Sequence, residues 1–73
     1  MKINQLYKHV STTDVALVPE KIDKVEDKLH LRIKWFNVVN KESIFFIDYD
    51  EVVIEEADLD KWEELHVSSR GVF

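Results

Sequence analysis

The residue types with the widest chemical reach in this chain are three histidines, His9, His30 and His66, and four serines, Ser11, Ser43, Ser68 and Ser69. Zinc asks for three or four convergent ligands. The histidines lie far apart with no HxxxH or HxH pair, so their spacing predicts solvated strand histidines. No serine sits in a Gly-x-Ser-x-Gly elbow, and the single glycine, Gly71, cannot build a phosphate-cradling loop. Asp48-x-Asp50-Glu51 has the look of a calcium loop. A twelve-residue EF-hand loop opening at Asp48 would need Gly at its sixth position and Glu at its twelfth. Val53 and Leu59 stand there instead, so an acidic turn is expected. There is no cysteine, which removes disulfides, thiolate ligands and thiol catalysis. The sequence is read as non-catalytic, with no cofactor and no metal.

What remains is charge. The net charge is −5, unevenly spread. Met1–Ile47 carries eight basic and six acidic residues, a balance of +2, whereas Asp48–Glu64 carries nine acids against Lys61, a balance of −8. Apolar residues are interleaved in that acidic stretch (Tyr49, Val52, Val53, Ile54, Leu59 and Trp62), so it belongs to the folded domain. Acids along a terminal strand ordinarily discourage edge-to-edge association. Presented rigidly, Asp48, Asp50, Glu51, Glu55 and Glu56 would also attract a basic protein partner, with Tyr49 and Phe36 as anchors. The same acids could imitate DNA phosphates and occlude a nucleic-acid-binding protein. The opposite alternative is nucleic-acid binding through Lys28, Arg32 and Lys34, which the acidic balance of the domain disfavours.

The elements that would position these residues follow from hydrophobic period. No long stretch repeats apolar residues at helical spacing; alternation is the stronger signal. In Lys28–Asn37, Leu29, Leu31, Ile33 and Trp35 share one face while Lys28, His30, Arg32 and Lys34 share the other, which predicts an antiparallel strand with one wet face. The break at Trp35-Phe36 predicts a bulge, or an end where both faces become covered. Val15–Ile22 is a second strand, with Pro19 marking an edge or an interruption. Asp23–Asp27 is the expected turn between them. Leu6–Val10 is a short first strand and Asn40–Ser43 a polar loop. Ile44–Ile47 lacks alternation and is expected to be buried on both sides or to fold as a short irregular segment. Asp48-Tyr49-Asp50 reads as a turn, Val52–Glu55 as a strand, Ala57–Lys61 as a helical turn and Trp62–Leu65 as a closing short strand or extension. The leftover aromatics, Phe36 and one of Phe45 and Phe46, are expected to cover a barrel end. Failing that, they would form a patch for a partner or for a second copy in a homodimer.

The whole chain of 73 residues is one small domain, with its core at about residues 5–66 and a frayed tail at 67–73. No stretch approaches the ~20 apolar residues of a membrane span. Met1–Leu6 has no apolar signal region, so the cytoplasm is the default expectation. Five to six short strands with one helical turn near the C-terminus predict a mostly β chain curled into a small antiparallel barrel. In order and size of elements this resembles SH3-like barrels, in the broad sense that includes Tudor-like and KOW-like domains. That resemblance implies binding of peptides, proteins or nucleic acid. The acidic aromatic motif that signalling SH3 domains carry after their first strand is missing, so Pro-rich ligands are not expected. Ile33-Lys34-Trp35-Phe36-Asn37-Val38-Val39-Asn40 resembles small uncharacterised proteins of tailed bacteriophages, which would imply a phage-encoded module acting on a host protein.

Overall fold

The computed structural model of the chain describes residues 1–40 and 43–66. The expected tail and the centre of the Asn40–Ser43 loop lie outside the described residues. The strands are β1 (Tyr7–His9), β2 (Val15–Val25), β3 (Lys28–Asn40), β4 (Ser43–Glu55) and β5 (Trp62–Glu64), with a 3₁₀ helix at Glu56–Lys61 between β4 and β5. All pairings are antiparallel and the strand order is β4-β3-β2-β1-β5. The chain is therefore mostly β, as the alternation predicts. Among the described residues no ladder joins β4 to β5; these two strands are the margins of the sheet. No helix is long and apolar enough to cross a membrane among the same residues.

Three of the strands are longer than expected. β3 and β4 each run for 13 residues. At ~3.3 Å per residue such a strand would reach ~40 Å if straight, yet the longest axis of the molecule is 37 Å. Strands of this length fit that axis only when twisted or bent, and bulges do both; two of them interrupt the ladders. One is the register shift at Pro19/Lys21 in the β2–β3 ladder. The other lies at Trp35/Phe36, where Asp48 and Phe46 of β4 take successive places and Ile47 is the extra residue. A third shift, at Val38/Asn40, sits close to the β3–β4 connection.

The turn between β2 and β3 is tighter than Asp23–Asp27. β2 continues to Val25, which pairs with Lys28, leaving a two-residue loop of Glu26 and Asp27. Glu26 has φ 58°, and tight hairpins require positive φ at the first loop position to match strand twist. Glutamate fills a place that glycine would fill with less strain. Pro19 reconciles the edge expectation with a central strand. β1 pairs with β2 only at Ala16 and Leu17, so by Pro19 β2 has run past β1. A residue without an N–H is tolerated there, and its carbonyl accepts the Asn4 N–H at 2.9 Å.

Both faces of the sheet are apolar in part, and β2 and β3 contribute residues to both. The main core packs Tyr7, Leu17, Leu29, Leu31, Ile33 and Ile54, with Trp35, Val52, Leu59 and Trp62 partly buried around it. The expected dry face of β3 is thus observed, with Leu17 and Ile33 fully enclosed. The 3₁₀ helix crosses this face from β4 toward β5. It is tied at its start by the Glu56 N–H donating to the Asp27 carbonyl at 2.8 Å, and Leu59 packs beneath it. The second cluster, on the opposite face, packs Leu6, Ala16, Val18 and Phe36, with Val38, Ile44 and Leu65 around it. Phe36 lies at the point where the covered face of β3 changes sides, from that of Leu29, Leu31 and Ile33 to that of Phe36 and Val38, which explains the break in alternation.

Candidate functional site

The residues expected to bind a partner fall mainly on β4, a margin of the sheet, and the structure reorganises them. Asp48-Tyr49-Asp50 is not a turn. It lies within β4, opposite Trp35, Lys34 and Ile33 in the ladder. A long partner strand supplies cross-strand hydrogen bonds that outweigh the weak β preference of Asp. Residues directly opposite in a ladder point to one face. Asp48 and Asp50 therefore lie on the face of Trp35 and Ile33, while Tyr49, Glu51 and Glu55 lie on the face of Lys34, Arg32 and Lys28.

Both carboxylates have local partners. The Asp50 Oδ2 accepts the indole N–H of Trp35 at 2.9 Å, and its Oδ1 accepts the Glu51 N–H at 2.7 Å. Asp48 Oδ1 accepts the Tyr49 N–H at 2.8 Å. The two capped N–H groups are two residues apart, hence on one side of the strand, the side a neighbouring strand would occupy. Asp48 and Asp50 therefore blunt this half of the margin.

The Trp35 indole, and after it the Glu51 N–H, hold the Asp50 carboxyl below the usual aspartate range. A depressed carboxyl pKa contributes stability above the unfolded pKa, and that contribution disappears as pH falls through the folded pKa. Replacing Trp35 by Phe keeps an aromatic ring and deletes the donor. The Asp50 titration, followed by carboxyl ¹³C NMR, should then move up toward the ordinary aspartate value. An unmoved titration would mean that the indole bond is not formed in solution.

Phe36 is corrected as an anchor: it is only 4% exposed. It supports Phe46 from beneath, ring centroids 5.9 Å apart in a T-shaped contact. Phe46 in turn meets Tyr49 at 5.1 Å, and Lys34 Nζ lies 5.9 Å from the Tyr49 ring centroid. The aromatic row that emerges at the surface is Phe46–Tyr49. Ile44–Ile47 is likewise corrected. Only Ile44 is half-buried; Phe45, Phe46, Ile47 and Tyr49 are 59%, 50%, 51% and 60% exposed. Composition alone cannot reveal this, because an uncharged apolar run looks the same in a central strand and at a margin. Beside it, Glu20, Arg32, Tyr49, Asp50 and Glu51 line an open groove of about 660 Å³.

Glu55 and Glu56 are not part of that groove. They lie about 15 Å farther along the strand, at four to five residues of ~3.3 Å each. Glu55 precedes the 3₁₀ helix and faces Lys28, while Glu56 pairs with Lys24 Nζ at 2.8 Å. The basic row is interleaved with acids as well. Lys28 stands opposite Glu55, Arg32 opposite Glu51, and Lys34 lies 3.6 Å from Glu20. His30, on the same wet face, is opposite Asp23 and Val53. His9 rests edge-on against Trp62 at 4.9 Å and its Nδ1 lies 2.7 Å from Ser11 Oγ. Among the described residues no group of three His, Asp or Glu side chains converges as metal ligands would. Comparison with family models, with curated proteins and with solved structures finds no match.

Proposed function

We propose that the domain is a non-catalytic protein-interaction module that engages a protein partner along the β4 margin, between Ile44 and Glu51. The observation that carries this reading is the half exposure of Phe45, Phe46, Ile47 and Tyr49 on one margin strand, directly beside Asp48, Asp50 and Glu51. A contiguous exposed apolar strand is costly to leave in water and invites aggregation. Aromatic anchors with charged neighbours are the usual composition of an interaction patch, the anchors giving affinity and the charges rate and selectivity. Imitation of DNA fits less well. The acids are split between two faces, and cations stand opposite Glu51 and Glu55, so they form no continuous anionic row.

The test is affinity capture from a lysate of the source organism with the immobilised domain. Capture should be salt-sensitive. It should be lost when Tyr49→Ala is combined with Glu51→Lys, two exposed substitutions that leave the melting curve near that of the parent. The pair Glu55→Lys and Glu56→Lys, at the far end of β4, should retain the partner. Unchanged capture by the Tyr49/Glu51 variant would reduce the acids to a protective edge. A gel shift with DNA and RNA at low salt separates the remaining alternative: a clear complex would transfer the function to Lys28, Arg32 and Lys34.

A further inference from the structure

We propose that β4 takes up its partner by strand addition. An extended segment would hydrogen-bond to the open margin over Ile44–Ile47, with apolar side chains there and Lys or Arg where it passes Asp48, Asp50 and Glu51. This rests on the docking reading above and specifies its mode and the chemistry of the partner.

The argument begins with the backbone. A margin strand presents a row of N–H and C=O groups with no neighbour. The two margins of this sheet are treated differently. β5 is three residues long and carries Glu63 and Glu64, the short, charged form that blocks pairing. β4 is 13 residues long. In its central part the Tyr49 and Glu51 N–H groups are occupied by the carboxylates of Asp48 and Asp50. Among the described residues, no side chain caps the backbone of Ile44–Ile47 in that way. The bulge at Ile47 divides the capped half from the uncapped half.

The side chains agree. Phe46 shares the face of Phe36, and Phe45 lies opposite Asn37 on the other face. An added strand would find an aromatic ring on each side of the sheet, and aromatic and β-branched cross-strand pairs are the favourable ones. Strand addition takes affinity from main-chain hydrogen bonds and selectivity from alternate side chains. Charge then chooses the occupant. A second copy would bring a net −5 chain against another, each with −8 over Asp48–Glu64. A segment with Lys or Arg opposite Asp48, Asp50 and Glu51 meets complementary charge instead.

Three synthetic probes test this by fluorescence anisotropy at low salt against the intact chain. They are a labelled peptide of alternating Val and Lys, its counterpart with Glu in place of Lys, and the Val–Lys peptide N-methylated at every second amide. The Val–Lys peptide should bind at least ~10-fold tighter than the Val–Glu peptide. N-methylation should weaken it by ~10-fold or more, as expected when two or three hydrogen bonds are removed. Amide resonances of Phe45–Ile47 should shift on binding, and Phe46→Lys, at an exposed position, should weaken the Val–Lys peptide to a similar degree.

If the N-methylated peptide binds as tightly as its parent while Glu51→Lys weakens both, side chains alone dock the partner. Strand addition is then wrong, and the broader docking reading survives. If no peptide binds at millimolar concentration, the proposed mode is wrong, and lysate capture decides separately whether the margin docks anything. If the Phe45–Ile47 resonances shift with protein concentration and light scattering gives a dimer, the occupant is a second copy and the basic partner is refuted.

Discussion

Truncating Ile33 to alanine should cost about 3–4 kcal/mol, roughly a third or more of the stability a domain of this size commands. Ile33 is fully enclosed, in the middle of β3 between two paired strands, and packs with Leu17, Leu31 and Ile54. Removing a buried aliphatic side chain forfeits its transfer free energy and leaves a cavity, ~2–5 kcal/mol in well-packed cores. The upper part of that range applies because a residue held by ladders on both sides cannot shift to fill the space. For 73 residues, marginal stability of ~0.05–0.15 kcal/mol per residue sums to about 4–11 kcal/mol. No disulfide adds to this. Urea titration followed by tryptophan fluorescence measures the loss. A cost under about 1 kcal/mol would mean that the β3 face is not a tightly packed core.

Phe36→Ala should cost a comparable amount, about 3–4 kcal/mol, by the same loss of packing at an aromatic site. Phe36 belongs to the other cluster, with Leu6, Ala16 and Val18. Because the two clusters occupy opposite faces of the sheet, the conservative pair Ile33→Val and Phe36→Leu should be additive to within ~0.5 kcal/mol. The same substitution at Phe36 removes the support under Phe46. It should therefore weaken partner capture beyond what unfolding explains, measured below the melting temperature. Full capture by folded Phe36→Ala would detach the aromatic row from its support.

The elements read most easily in the sequence were those with one wet and one dry face. Leu29, Leu31 and Ile33 alternate with Lys28, His30 and Arg32, and β3 follows with the main core on the expected side. The helical turn before the last strand was legible for a local reason. Glu56 and Asp58 suit its start and Lys61 its end, where Lys61 pairs with Asp58 at 3.3 Å. β4 was not legible as one strand. Asp48-Tyr49-Asp50 carries turn chemistry, and only the register with β3 makes it extended. That information lies in residues 32–35, some fifteen positions away, which no local pattern contains.

The candidate site was half legible for the same reason. The acids and Tyr49 were visible as a charged, aromatic segment. The exposure of Phe45, Phe46 and Ile47 was not, because it depends on β4 being last in the strand order. The burial of Phe36 is not legible either, because the covered face of β3 changes sides at the Trp35/Phe36 bulge, and a change of side leaves no mark in composition. The bond from Trp35 to Asp50 joins residues 15 apart and had no signature in either neighbourhood.

The pairing of β1 with β5 has a mechanical consequence. Tyr7 is opposite Glu64, and His9 is opposite Trp62, so the chain enters β1 and leaves β5 at the same end of that pair. Tension applied through the two flanking segments would load these hydrogen bonds one after another, as a zip is opened, instead of all together in shear. The domain should yield at low force from that corner. The β2–β3–β4 ribbon, which carries the docking margin, would keep its shape until β1 and β5 had already come away.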